Sequence, residues 1–586
     1  MKVFHSRSAL ARCEFAAAIV MTLFLIALHA RVLVNAGPLW RDEVSSFQVA
    51  TAPTWKAFLD SLVLDPFPIL FVTLLRIWIA LGLGNSDFGL RFLGFLIGIS
   101  LLGAIWRCYR MIDKERWAPL WSLAFALAPV TLTQGDSLRA YGLGLIGIVM
   151  SFGFVWRLSF QPWRFGTAIA AAIAALVAVQ SLYLNSLILF GICLAGIVVS
   201  LRRKQFCPAA GILFVGLIAA ASLLPYAGII RNAHEQLTVQ RELQAASDAT
   251  PSIFSPAFFR GSAAMFSCVL LVAVGLIVVL VPSLRRQMFV RSKGAGDPLL
   301  FVGIVVMVGA ITTFSLLWSS GVHSSRYRLP LLAVGTLSIQ AVYTTLRKSV
   351  GLTVANLVGS GLTAAALIPS SYHVSGLRKT NCDVAAALVA KSAGPDDLVV
   401  VTRFTHAPTF KRYYRGTAPW TSVPPLGDHL QHRAYLAGSE LLNPEAIRDL
   451  LGQMESELKA GHKVFLVGRF PRAEKDLTVP TAFKPEDSGG WKLGMYLSIW
   501  HSQIVNLLRQ HAVQVANIRL HESGPIDPQE KEDVFVFSGW KTSDKGRVII
   551  KQAAEATAPM RSNFVAFATT PCRGLSRRGA PREPEH

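Results

Sequence analysis

The stretch PFPILFVTLLRIWIALGLG (residues 66–84) decides how this chain is threaded. It is apolar, but it has prolines at its first and third positions and Arg76 in its middle. A membrane span needs about 20 mostly apolar residues. Other runs of that kind are 15–36, 89–106, 117–135, 140–156, 166–183, 184–201, 209–230, 264–283, 298–318, 329–346 and 350–369. Basic residues cluster between them: Lys2, Arg7 and Arg12; Arg107, Arg110, Lys114 and Arg116; Arg157 and Arg164; Arg202, Arg203 and Lys204; Arg285, Arg286, Arg291 and Lys293; Arg347 and Lys348. If 66–84 crosses, the segment from Arg107 to Arg116 falls outside and the alternation fails from there. If it lies in the interface as an amphipathic helix, every basic loop falls on the cytoplasmic side, as the positive-inside rule requires. The reading is therefore eleven spans, N-terminus inside and C-terminus outside, in a mainly α polytopic membrane protein.

Composition agrees. Of 586 residues, 52% are hydrophobic, and the mean hydropathy is +0.45. The formal net charge of +22 does not point to nucleic acid, because the basic residues sit in short loops between apolar runs. The basic start MKVFHSRSALARCEF leads into the first run without a small-x-small site, so it reads as a signal anchor. The seven cysteines have no metal-site spacing. Cys13, Cys108, Cys193, Cys207 and Cys268 fall in or beside apolar runs, and Cys382 and Cys572 fall in the polar C-terminal part.

This threading gathers the unexplained charges on the outer face. The first outer loop, 37–88, carries GPLWRDEVSSFQVA with Asp42 and Glu43, and then LDPFPIL with Asp65. A carboxylate pair beside lipid is solvated, paired or used. As chemistry, Asp42 is a general base, which must reach a hydroxyl proton, and Glu43 assists it; the bland alternative is a solvated pair next to Arg41. QGDSLRAYGL brings Asp136, Arg139 and Tyr141, which bind substrate or form a capping Asp with an i, i+3 ion pair. SSRYRLPLL brings Arg326, Tyr327 and Arg328. A guanidinium fork matches phosphate oxygens, and the alternative is snorkelling to lipid headgroups. Asp65 either joins this set or caps the interfacial helix. His234, Glu235 and His323 are further polar candidates on this face. LGLG (81–84) and GLGL (142–145) follow no strand, so they are membrane glycines and not a nucleotide loop.

Residues 1–370 thus form the transmembrane domain, and 371–550 a soluble extracytoplasmic domain. In the latter, DVAAALVAKSAGPDDLVVVTRF reads as helix, turn and buried strand, and PEAIRDLLGQMESELKAGHKVFLVGRF repeats the pattern. EDVFVFSGW adds a strand, so the expectation is a small α/β domain. The Arg-, Pro-, Ser- and Ala-rich tail 551–586 is expected to be disordered.

Taken in order, PLWRDEVSSF, DPFPILFVTLLRIWIALGLGNSDFGLR, DSLRAYGLGL, SRYRLPLLAVGTL and the C-terminal domain with CDVAAALVAKSAGPDDLVVVTRF resemble the bacterial glycosyltransferases of the GT-C fold. That group includes the dolichyl-phosphate-mannose–protein mannosyltransferases and the aminoarabinose transferase of lipid A. The resemblance implies a catalytic carboxylate in the first outer loop, here Asp42. It also implies an inverting transfer of a sugar from a polyprenyl-phosphate donor to a cell-envelope glycan, lipid or protein at the outer face of the cytoplasmic membrane. Arg326, Arg328 or Arg139 would meet the leaving phosphate. A divalent cation, magnesium or manganese, at Asp42, Glu43 and Asp136 is optional in this reading. Two departures stand out. The family's Asp-x-His-Pro-Pro is Asp65, Pro66, Phe67, Pro68 and Ile69 here, and a later His-Tyr pair is Leu182-Tyr183. The rival class is a transporter or flippase for a lipid-linked sugar, which needs broken or polar helices near the bilayer midplane.

Overall fold

The computed structural model describes residues 2–62, 67–113, 118–230, 296–320, 325–346, 350–426, 445–468, 493–541 and 549–552. Asp65, His234, Glu235, His323, Cys268, Cys572, the expected span 264–283 and the tail beyond 552 lie outside these residues.

Eight helices among the described residues are long and apolar enough to cross a membrane: Ala9–Asn35, Asp87–Ile112, Tyr141–Phe160, Asn185–Arg202, Phe206–Ile230, Gly296–Leu316, Ser325–Leu346 and Thr353–Ser375. Phe165–Ser181 is apolar but shorter. Ile69–Ala80, inside the deciding stretch, has 12 residues. At 1.5 Å per residue it is about 18 Å long, against a hydrocarbon core of about 30 Å. Its Arg76 has a structural task. Nη1 donates to the carbonyls of Ala50 (2.9 Å) and Ala52 (2.8 Å). Ala50 ends the helix Arg41–Ala50 and Ala52 follows its C-cap Thr51, where carbonyls have no partner within the helix.

One expected span is not a single helix. Residues 117–135 contain two seven-residue helices, Leu120–Ala126 and Pro129–Gly135. Proline supplies no N–H to continue a helix and drives the preceding residue towards extended backbone. Ala128 is extended accordingly (φ −61°, ψ 133°), and Pro129 opens the second helix. The carbonyl of Leu127, freed at the break, accepts from the Ser371 hydroxyl in the last span. The second of these helices delivers Asp136 against Asp87–Ile112. There a Cβ on Gly94 would meet the Asp136 carbonyl oxygen at 2.0 Å, so only glycine allows that approach.

The C-terminal part folds around a mixed sheet of order β2-β1-β3-β5-β4-β6. The strands are β1 (Leu398–Val401), β2 (Trp420–Ser422), β3 (Lys463–Val467), β4 (Ala512–Ile518), β5 (Val534–Trp540) and β6 (Ile549–Gln552). β1 pairs parallel with β2 and β3, whereas β5 pairs antiparallel with β3 and β4. The alternation of strand side chains, with both faces covered, explains why β1 is wholly apolar and β3 nearly so. Leu398, Val400, Val464 and Leu466 pack with Leu450, Met454, Leu458, Trp500, Ile504 and Leu508. Val399, Val401, Phe465 and Val467 pack with Cys382, Ala385, Val389 and Phe410. The helices Arg448–Lys459 and Leu493–His511 thus cover one face, and Cys382–Ser392 and Ala407–Tyr413 the other.

The domain is fixed to the first loop by Asp87. Its carboxylate accepts from Arg412 Nη2 and from the Tyr413 hydroxyl, both at 2.7 Å. The Tyr413 oxygen in turn accepts from the Leu39 backbone N–H at 2.7 Å.

Candidate active site

Asp42 and Glu43 occupy the first turn of the helix Arg41–Ala50, where the positive end of the helix dipole suits carboxylates. They are not a solvated pair: Asp42 is 4% exposed and Glu43 0%. Their neighbours separate their roles.

Glu43 is saturated. Arg91 grips it with both arms, Nη1 to Oε1 at 3.2 Å and Nη2 to Oε2 at 3.0 Å. The backbone N–H of Leu138 donates to Oε1 at 3.1 Å. That of Trp40, which precedes the helix, donates to Oε2 at 3.4 Å, half of a capping box. Arg91 also donates to the carbonyls of Gly37 (2.6 Å) and Pro38 (2.5 Å). This cluster ties the first loop, the span Asp87–Ile112 and the 136–140 turn into one piece.

Asp42 keeps its carboxylate for a different partner. Arg326 Nη1 donates to Oδ2 at 2.9 Å, and Arg41 Nε lies 3.7 Å from Oδ1. The Arg326 guanidinium also lies 5.9 Å from the Tyr141 ring centre and 5.4 Å from that of Tyr327. The structure thus brings together Asp42, Tyr141, Arg326 and Tyr327. Arg139 belongs to the same cluster but not to the carboxylate. Its Nη1 donates to the Asp42 backbone carbonyl (2.9 Å) and Ser46 Oγ (3.1 Å), and its guanidinium stacks 4.5 Å from the Phe67 ring centre. Arg328 is buried at 8% exposure.

Asp136 takes a partner that the sequence did not suggest. His29 Nδ1, from the first span, lies 2.7 and 2.8 Å from its two carboxylate oxygens. Burial raises the Asp136 carboxyl above its ordinary range, and His29 works against that rise. Asp42, Glu43 and Asp136 are therefore held by Arg326, Arg91 and His29 respectively. Among the described residues no three of His, Cys, Asp and Glu gather to hold a metal ion.

The C-terminal α/β domain brings further residues to this cluster that sequence reasoning missed. Arg41 Nη1 donates to Nε2 of His406 at 3.1 Å and lies 3.4 Å from Thr405 Oγ1. Nδ1 of His406 is hydrogen-bonded to the Glu532 carboxylate. Because Nε2 receives the arginine proton, the neutral ring carries its own proton on Nδ1 and donates it to Glu532. Burial holds the His406 pKa below its ordinary value, against the pull of Glu532. Burial works to raise the Glu532 carboxyl, but His406 and the neighbouring arginines hold it below the usual range. The Arg41 backbone N–H donates to Glu530 at 2.8 Å, and burial pushes the Glu530 carboxyl up to about 8.

A cavity of about 190 Å³ adjoins this cluster, lined in part by Trp40, Gln134, Ser325, Lys379 and Asp527. Trp40 and Ser325 are the chain neighbours of Arg41 and Arg326. Trp40 Nε1 and Gln134 Oε1 are both buried without a hydrogen-bond partner. Burial lowers the pKa of Lys379, with Glu43 opposing.

No protein-family model matches the chain, and no curated protein matches it. Solved structures do match, at low identity. The oligosaccharyltransferase of Archaeoglobus fulgidus, in complex with zinc and sulfate, aligns with TM-score 0.40 and 10% identity over 76% of this chain and 67% of that one. ArnT of Cupriavidus metallidurans bound to undecaprenyl phosphate aligns with TM-score 0.33 and 13% identity over 77% of this chain and 92% of that one. The apo state of ArnT gives 0.33 and 13% over 79% and 93%. The roles assigned to the site rest on the residues of this chain.

Proposed function

We propose that this chain is an inverting glycosyltransferase that moves a sugar from a polyprenyl-phosphate carrier to an acceptor hydroxyl at the outer face of the cytoplasmic membrane. The observation that carries the reading is the pairing of Asp42, from the loop after the first span, with Arg326, from the start of a late span, at 2.9 Å. A buried carboxylate beside a guanidinium supplies both halves of such a displacement. Asp42 takes the proton from the acceptor hydroxyl as its oxygen attacks the anomeric carbon. The bond from that carbon to the phosphate oxygen breaks, and Arg326 meets the charge that grows on the departing phosphate. Preorganised stabilisation of that kind is commonly worth several kcal/mol.

The remaining residues position these two. Arg139 holds the Asp42 backbone, and Glu43 with Arg91 fixes the turn in which Asp42 stands. The cavity beside Trp40, Gln134 and Ser325 suits the acceptor, since it offers buried polar atoms without partners. A lipid-linked donor follows from the outward face assigned to the site by the loop charges, because nucleotide sugars are cytoplasmic. The broken helix at Leu127–Ala128 is the feature a transporter would share. Its freed carbonyl is already taken by Ser371, so it offers no open ion or substrate ligand at that oxygen.

The test is sugar transfer in membranes containing matched amounts of protein. Asp42→Asn keeps size and hydrogen bonding but cannot accept the proton, and the loss of a positioned base typically costs about 100- to 10,000-fold. Near-normal transfer by well-expressed Asp42→Asn protein would remove Asp42 from the chemistry. A reporter placed after Ser370 that reads out on the cytoplasmic side would overturn the outward assignment of the site.

A further inference from the structure

A second cationic hollow lies at the junction of the first span, the last span and the soluble domain. It has a volume of about 510 Å³, and its lining includes Arg31, Asn35, Tyr372, His373, Gly376 and Arg378. Among the described residues no carboxylate lines it. Arg378 is compensated: Nη2 pairs with Asp383 at 2.5 Å, and Nε donates to the Thr380 carbonyl at 2.9 Å. Arg31 is not. Its guanidinium stacks 4.2 Å from the Tyr372 ring centre, its Nε is buried without a hydrogen-bond partner, and among the described residues no carboxylate pairs with it. A half-buried guanidinium without a counter-charge is costly. On the outer face, the positive-inside rule gives no reason for it.

We infer that this hollow binds the phosphate headgroup of a membrane amphiphile, at a site separate from the Asp42–Arg326 centre. Arg31 supplies the charge and a fork for phosphate oxygens, with His373 and Asn35 as further donors. The ligand is lipid-borne because the hollow opens onto lipid-facing surface. Val34 and Tyr372, on its rim, are 73% and 53% exposed. The two spans that wall it, Ala9–Asn35 and Thr353–Ser375, are only 28% and 22% buried in their apolar windows. They expose Val20, Leu23, Val358 and Leu362, a track on which acyl or prenyl chains can lie. Gly376 keeps the hollow open, since a Cβ there would come within 2.6 Å of Arg31 Nη2. This inference does not depend on the proposed transfer reaction. A bound phospholipid and a second lipid substrate both satisfy it.

The experiment is native mass spectrometry of the full chain in detergent, titrated with dioleoyl phosphatidate, dioleoyl phosphatidylcholine or inorganic phosphate. Wild type should retain phosphatidate in preference to phosphatidylcholine. Arg31→Gln should weaken phosphatidate about 10- to 100-fold, the worth of a charge-assisted hydrogen bond, while Arg326→Gln leaves this binding in place. Gly376→Ala keeps the charge but displaces the guanidinium, so it should also weaken binding, and it carries the test if Arg31→Gln does not fold. Unchanged phosphatidate retention in folded Arg31→Gln protein would overturn the site. Loss of all retention in Arg326→Gln would place the lipid at the Asp42 centre instead. Displacement of phosphatidate by equimolar inorganic phosphate would show a free-anion site and overturn the lipid assignment.

Discussion

The Arg41 guanidinium bridges Asp42 of the helical part and His406 of the C-terminal α/β domain, with Nη1 3.1 Å from His406 Nε2 and Nε 3.7 Å from Asp42 Oδ1. The C-terminal domain therefore helps to set the field at the proposed base. His406→Ala removes the acceptor that holds Arg41 and leaves Glu532 buried without its donor. Misplacing a group by about 1 Å can cost about 100-fold in rate, so transfer should fall by about 10- to 100-fold. His406→Gln, whose side-chain oxygen can accept from Arg41, should recover part of it. Equal activity of wild type and His406→Ala in a transfer assay would reduce the contact to simple docking.

Glu530 gives the protein a pH signature. Its carboxyl is pushed up to about 8 by burial, against about 4.3 in an unfolded chain. Between those values the folded state holds the proton and the unfolded state does not. Folded protein then binds more protons, and stability from this group falls as pH rises through the window. Glu530→Gln removes that slope and keeps an oxygen for the Arg41 N–H. The variant should match wild type near pH 4.5 and gain thermal stability over it as the pH approaches 8. A difference in melting temperature that is flat across this range would mean that Glu530 is ionised in the fold.

The chain shows most of its long apolar helices and its central strands plainly, because both depend on local patterns. LVVV (398–401) and KVFLV (463–467) are wholly or nearly wholly apolar, as strands covered on both faces must be. The three-residue strand Trp420–Ser422 is too short to leave a pattern, and Ala512–Ile518 mixes exposed and half-buried positions. In the candidate site, Asp42 and Arg326 are legible because a charge at the end of an apolar span calls for a reason. Their partners are not. Arg91 reaches Glu43 across 48 residues, His29 reaches Asp136 across 107, and His406 reaches Arg41 across 365. Such pairings are set by how the spans and the soluble domain pack. Reading Glu43 as an assistant to the base follows from its adjacency in sequence. Adjacent residues on a helix point about 100° apart, which is how Glu43 comes to face Arg91 while Asp42 faces Arg326.

That division predicts opposite failures for the two acids. Glu43→Gln leaves the Arg91 guanidinium buried without its counter-charge, and breaking a buried pair on one side costs about 3–5 kcal/mol. Its main effect should be a lower yield of folded protein and a lower melting temperature. Asp42→Asn, beside a partly exposed Arg326 (side chain 23%), should fold nearly normally and lose turnover. Fluorescence-detected size exclusion and transfer assays on both variants separate the cases. A well-folded but inactive Glu43→Gln protein would move Glu43 from support to chemistry.

Two glycines on the same span offer a sharper test of the packing that places Asp136. A Cβ on Gly98 would fall 2.1 Å from Asp136 Oδ1 and 2.8 Å from His29 Nδ1, whereas one on Gly103 would meet nothing within 4 Å. Both lie inside the helix Asp87–Ile112, so each exchange for alanine gains the same helical preference, about 0.5–1 kcal/mol. At Gly103 that gain stands alone, and Gly103→Ala should be neutral or mildly stabilising. At Gly98 the methyl drives apart a buried hydrogen-bonded pair that has no solvent to turn to. Overpacking typically costs about 1–3 kcal/mol, and the strained pair adds to it. Gly98→Ala should therefore melt several degrees below wild type. His29→Ala, which removes one of the two clashing groups, should relieve part of that loss when added to Gly98→Ala. Strictly additive losses in the double variant would show that the methyl is accommodated elsewhere and that Gly98 is not what seats the Asp136–His29 pair.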